Sequence, residues 1–183
     1  AEAGYYRFYA EYTGGISSTG SAISTAGDNG NNEYFRAVTT PTALVSTQVT
    51  SALITAGQSA TDTAKLKLSD NSAPNGTLTF YLCYDPSSAL AVATCSATST
   101  KKISGLTGNS FTTFGAPNES NEYTVSYTYN NAEAGYYRFY AEYTGGISST
   151  GSAIPTAGDN GNNEYFRAVT TPTALVSTQV TSA

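Results

Sequence analysis

The sequence predicts an all-β sandwich, and three observations lead there. Short runs alternate apolar and polar residues at period two, as in Tyr137, Phe139, Ala141 and Tyr143 against Tyr136, Arg138, Tyr140 and Glu142. Gly, Pro, Asn and Asp separate these runs at short intervals. No stretch carries a helical period, so about seven to nine antiparallel strands are expected.

The chain of 183 residues repeats itself. Residues 1–52 and 132–183 agree at every position except Ser24, which faces Pro155. A period of 131 residues is too long for a solenoid unit and suits a whole domain. The expected division is 1–40 as the C-terminal part of a preceding repeat, 41–171 as one complete repeat, and 172–183 as the start of the next.

Composition narrows the class. Histidine, tryptophan and methionine are absent, and charged residues make up only 11%. Ser, Thr, Asn and Gly therefore carry solubility, as in secreted, glycosylated β-proteins. A net charge of −5 speaks against a nucleic-acid partner, which needs a basic patch. No apolar run approaches the roughly 20 residues of a membrane span.

The elements follow in order. One Tyr/Phe-rich strand over residues 4–14, the copy of 135–145, opens residues 1–40. A Gly/Ser/Thr loop over 14–32 and a short strand over 33–38 come next. Pro41, unable to donate to a ladder, marks a junction, as does its copy Pro172. Residues 43–50 suit an edge strand. In 60–68, Ala64, Leu66 and Leu68 face inward while Thr63, Lys65 and Lys67 face out. Residues 70–76 form a turn, and Leu78, Phe80, Leu82 and Tyr84 share one face of the next strand. Asp85-Pro86 turns the chain, and 90–94 is read as an antiparallel return. Further strands are expected at 111–114, 123–129, 135–144 and 164–169.

Three stretches in this order resemble the bacterial Ig-like repeat domains of large extracellular and cell-surface proteins. They are Gly57-Gln58-Ser59-Ala60-Thr61-Asp62-Thr63-Ala64, Gly76-Thr77-Leu78-Thr79-Phe80-Tyr81-Leu82-Cys83, and Gly135-Tyr136-Tyr137-Arg138-Phe139-Tyr140-Ala141-Glu142-Tyr143-Thr144-Gly145. The resemblance covers nearly all of 41–171 and implies an Ig-like sandwich in tandem. It also implies a tyrosine corner, in which Tyr137, and Tyr6 in the first copy, bond backbone across the turn into the strand. Phe139 would take the place of the core cysteine. Many such domains carry a further cysteine pair where this chain has Arg138 and Tyr165, so that second disulfide is absent.

Cys83 and Cys95 are the only cysteines. A hairpin at Asp85-Pro86-Ser87-Ser88 would bring them together as a disulfide, which implies an oxidising, extracellular compartment. The alternatives are a metal site, which wants more Cys or a His, and a thiol nucleophile, which wants a His base. Asp159, Asn163 and Glu164 crowd oxygen ligands around a glycine and are weak calcium candidates, against the reading of an ordinary Asn-Gly turn. Asp62 reads as a structural carboxylate. Two sequons, at Asn75 and Asn118, are candidates for attached glycan. No catalytic set and no cofactor are expected. The expected function is structural: an extracellular filament or surface stalk of near-identical domains whose partners are copies of itself. The alternative is an adhesin that grips glycan or protein through its loops.

Overall fold

The computed structural model describes residues 2–28 and 34–171, and these residues are all-β with two 3₁₀ turns. The expected start of a further repeat at 172–183 lies outside the described residues, as does Glu33. The chain divides into two compact units, Ala1–Thr40 and Pro41–Ala183.

In the first unit, β1 (Gly4–Arg7) pairs antiparallel with β6 (Tyr34–Ala37). Likewise β2 (Ala10–Tyr12) pairs with β5 (Ala26–Asp28), and β3 (Gly15–Ile16) with β4 (Ala22–Ile23). The expected featureless loop over 14–32 thus contains three short strands. Every side chain in them is exposed, so no apolar alternation marked them.

The second unit holds nine strands among the described residues: β7 (Ala43–Val49), β8 (Leu53–Thr55), β9 (Ala60–Leu68), β10 (Thr77–Asp85), β11 (Ser110–Phe111), β12 (Tyr123–Tyr129), β13 (Gly135–Thr144), β14 (Ala157–Asp159) and β15 (Tyr165–Val169). One sheet runs β12-β9-β7; the other runs β11-β10-β13-β15-β8, with β14 also on β13. All pairs are antiparallel except β8 with β15, which is parallel. β8 was not expected, since three residues carry too little alternation to read. The expected return strand at 90–94 is instead a 3₁₀ turn over Leu90–Val92, and the strand expected at 111–114 shrinks to Ser110–Phe111.

The strict alternation of β13 becomes a strict burial pattern. Tyr137, Phe139, Ala141 and Tyr143 are fully enclosed, and the intervening residues are half-buried. Glycine closes both ends for steric reasons. A Cβ on Gly135 would lie 2.5 Å from a Tyr84 ring carbon, and Gly145 turns the chain at φ +74°. β13 is central, with β10 pairing its whole length from Thr77↔Thr144 to Asp85↔Tyr136. The buried faces of both sheets share one core. Phe80 stacks on Tyr127 at 5.8 Å across the gap, and Phe139 meets Tyr127 edge-on at 6.4 Å. Tyr137 and Phe166 stack at 4.6 Å.

The rings also fix which ends of the sheets coincide. Tyr129, partner of Ala60, lies 6.0 Å from Tyr137. Phe114 bridges Tyr123, partner of Leu66, and Tyr143 at 6.3 and 6.4 Å. Ala43, at the start of β7, pairs with Leu68 and sits at the Tyr143 pole. Val169, at the end of β15, follows the Ala168↔Gly135 pair and sits at the Tyr137 pole. The strand between, Ala60 to Leu68, spans about 27 Å at the rise of an antiparallel strand.

The two copies of the repeated sequence keep one register. Tyr6↔Phe35 and Tyr137↔Phe166 are equivalent pairs, as are Ala10↔Asp28 and Ala141↔Asp159. Their surroundings differ. Phe139, Tyr143 and Phe166 are 0% exposed, whereas Phe8, Tyr12 and Phe35 are 64%, 49% and 41% exposed. β13 is continuous along β10, while its copy is broken into β1 and β2 at Phe8 and Tyr9.

Candidate functional site

The densest polar chemistry lies at the seam between the two sheets. Asp62 comes from β9, where it pairs with Val49 on one side and Tyr127 on the other. Its place in the alternation sends it inward with Ala64 and Leu66. Glu164 ends the 3₁₀ turn over Asn162–Glu164 that leads into β15. Both side chains are fully enclosed, and they reach one another. As two carboxylates, their four oxygens make no well-formed hydrogen bond to a donor; the Thr63 and Gln48 N–H groups lie toward Asp62 and the Thr47 hydroxyl toward Glu164, and their lowering effect is smaller than the desolvation. With one proton held between them they hydrogen-bond each other, which is the arrangement burial dictates. Desolvation pushes both acids up from their ordinary values, and for Glu164 the charge of Asp62 adds to it. Asp159 contributes to both in the same direction.

The three calcium candidates are each engaged with protein groups. Asp159 accepts hydrogen bonds from the Thr47 N–H at 2.8 Å and from the Gly161 N–H at 3.0 Å. Asn163 donates its side-chain amide to the Thr47 carbonyl. Glu164 faces Asp62. Asp159 and Asn163 therefore clamp both backbone groups of Thr47 in β7. Arg138 donates to the carbonyls of Asn160 and Gly161 at 3.1 and 3.2 Å and holds the same loop from β13. Among the described residues no group of three or more His, Cys, Asp or Glu is arranged to hold a metal ion. A shallow cleft of about 410 Å³ runs beside this seam, lined by Thr47, Val49, Lys65 and Asn163 among others; neither Asp62 nor Glu164 lines it.

Cys83 and Cys95 are joined in a disulfide, Cα to Cα 5.8 Å apart. The hairpin expected to bring them together is not there. Cys83 lies on β10, and Cys95 follows the Leu90–Val92 3₁₀ turn. Cys83, Cys95 and Val92 form a second small core on the outer face of the large sheet, against Tyr136, Tyr140 and Tyr165. Beside it, Asp85 accepts from Lys101 at 2.7 Å and from the Ser87 and Ser88 N–H groups at 2.9 Å. The Lys101 ammonium, then these serines, hold its carboxyl well below the usual range.

Tyr137 Oη donates to the Glu133 carbonyl at 2.9 Å, and Tyr6 Oη to the Glu2 carbonyl at 2.6 Å. Burial pushes the Tyr137 phenol up from its ordinary value. Arg138 and Tyr165, where the resemblance places a second cysteine pair, are register partners. Asn75 is exposed, and its amide clamps the Ile147 backbone, accepting from N–H and donating to C=O at 2.8 Å each. Asn118 is exposed in a turn, its Oδ1 accepting from the Ser120 and Glu122 N–H groups.

Sequence reasoning missed the Asp62–Glu164 pair. The two lie 102 positions apart in the sequence. The one available signal was Asp62 itself, a charge on the apolar face of an otherwise regular strand. No family model matches the chain, and no curated protein or solved structure does either.

Proposed function

We propose that the chain is a stretch of an extracellular structural filament or surface stalk, built head to tail from near-identical Ig-like domains. The observation that carries this reading is the placement of Ala43 and Val169 at opposite poles of the second unit. The segment that joins one repeat to the next runs from Val38, the copy of Val169, to Ala43. Five residues reach at most about 18 Å when fully extended. That falls short of the roughly 27 Å between the poles. Residues 1–40 therefore do not complete the sandwich that directly follows them, and each domain must enter at one pole and leave at the other. Domains so connected are linked pole to pole.

The Tyr137–Glu133 bond supports the Ig-like assignment, since a tyrosine corner makes a bond of this kind. The Cys83–Cys95 disulfide and the absence of any long apolar helix among the described residues are compatible with an extracellular site. The adhesin alternative needs open aromatic platforms. In the second unit the outer-face tyrosines are instead occupied: Arg167 lies 5.0 Å over Tyr136, and Lys102 lies 5.4 Å over Tyr81, whose ring also stacks on Tyr140. Electron microscopy of native material tests the reading. A regular axial repeat of roughly 40 Å is expected from one strand length plus loops. Compact single particles would overturn it.

A further inference from the structure

The repeated sequence occurs once with its surroundings complete and once without them. In residues 132–171, β13 is covered edge and face. β10 pairs its entire edge, and β7, β9 and β12 bury Phe139, Tyr143 and Phe166. All of that covering comes from residues 41–131. In Ala1–Thr40 the same registers are formed, the corresponding edge of β1 and β2 has no strand on it among the described residues, and Phe8, Tyr12 and Phe35 are exposed. A hollow of about 450 Å³ lies on β2 and β5, lined by Ala10, Glu11, Tyr12, Ala26, Gly27 and Asp28. The copies of these two strands, β13 and β14, pack on β7.

We propose that the apolar face of Ala1–Thr40 is an acceptor for a second copy of residues 41–131. The occupant is defined by the sequence itself, because the covering segment of an identical acceptor is visible in this structure. It must be a second copy. The chain's own residues 41–131 are engaged with 132–171, and the 38–43 linker is too short to let them turn back onto 1–40. Residues 1–171 hold two acceptor sequences and one covering segment, so uptake of one further segment by these residues is the expected stoichiometry. Pairing full-length chains with each other gains nothing, since every segment given to one acceptor is withdrawn from another. The only positions at which the acceptors differ are Ser24 and Pro155, both exposed, so the two sites should hold the segment comparably. This inference rests on the tandem reading for its biological setting. Its test is separate, because capture of a segment by purified chain is read without any filament.

The experiment is to refold the full chain with a tagged polypeptide of residues 41–131 and measure complex mass. The expected result is one polypeptide per chain, with amides of β1 and β2 exchanging roughly a hundredfold more slowly than in the chain alone. Phe8→Asp combined with Phe35→Asp should abolish capture while hydrogen exchange in β13 stays slow. Capture that survives these substitutions would mean that the segment had displaced its twin on 132–171, and would overturn the proposal. Should the polypeptide aggregate, a chain with residues 41–131 placed ahead of Ala1 gives the same readout. Unchanged exchange in β1 and β2 of that longer chain would also overturn it.

Discussion

Asp62 and Glu164 face each other across the seam between the two sheets, neither exposed, and a proton shared between them gives each the close hydrogen bond it otherwise lacks. Stability should therefore rise as the solution is acidified from neutrality toward the ordinary carboxylate values of 3.8 and 4.5. Both folded-state values are raised, so the folded state binds the shared proton more tightly than the unfolded chain does. The contribution is complete below the ordinary values and is lost as pH climbs through the raised ones. Glu164→Gln supplies a permanent donor to Asp62 and should flatten this slope, adding on the order of 1–3 kcal/mol above neutrality. Thermal melts of both proteins across pH 4–9 check this; parallel slopes would refute it. Asp85 acts in the opposite sense. Its folded value is depressed, so its contribution stands above the ordinary range and is lost only in strong acid.

The same substitution should carry two costs in one chain. Phe139→Ala empties a site that is 0% exposed and should destabilise the second unit by about 3–5 kcal/mol. Phe8→Ala, in identical local sequence, removes a ring already 64% in solvent and should change stability by no more than about 0.5 kcal/mol. Denaturant titration of the two variants distinguishes them.

Removing the tyrosine hydroxyl at residue 137 leaves the Glu133 carbonyl without its donor. Tyr137→Phe should cost about 1 kcal/mol, the ring stack on Phe166 being retained. A cost near zero would show that solvent replaces the bond.

Cys83→Ala with Cys95→Ala should lower stability by about 3 kcal/mol, the chain-entropy value for a short loop. The large core does not depend on this loop, so far-ultraviolet circular dichroism should be retained. The change should appear in the environment of Tyr136, Tyr140 and Tyr165, which lose Val92 as cover.

A polypeptide of residues 41–171 contains both sheets and should fold as a cooperative monomer. Residues 1–131 have nearly the same composition but join the final strands to β7 through the short 38–43 linker. The opposite poles cannot be joined within one molecule, so this version should associate through exchanged strands. Sedimentation of the two checks the prediction, and a compact monomer of 1–131 would place Ala43 and Val169 at one pole.

The strands of the large core were legible because burial on one face leaves an alternating record. Leu66 and Leu68, Phe80 and Leu82, and Tyr137 and Phe139 all lie where that alternation puts them. β3, β4, β5 and β8 left no such record, being held by backbone bonds and a short parallel ladder. The disulfide was legible from count alone, but its local route was not: Val92 descends onto the tyrosines through a 3₁₀ turn instead of a returning strand. The acid pair was invisible for a different reason. One member lies on β9 and the other on the 3₁₀ turn that leads into β15 of the other sheet, and only the docking of the two sheets creates the interaction.

The parallel pairing of β8 with β15 has a mechanical consequence. Suppose tension enters a domain at Ala43 and leaves at Val169. β7 is then drawn one way along β9 while β15 is drawn the other way along β13. The ladder bonds of β7 and of β15 lie across the pull, so each ladder is sheared as a lap joint and its bonds share the load, where a peeled zipper would break them singly. β8 adds a second seam to β15 through Ala52, Thr55 and Ala56, whose backbone lies beside Arg167 and Val169. Under such a load, a short strand that contributes little to the buried core would thus double the grip on β15.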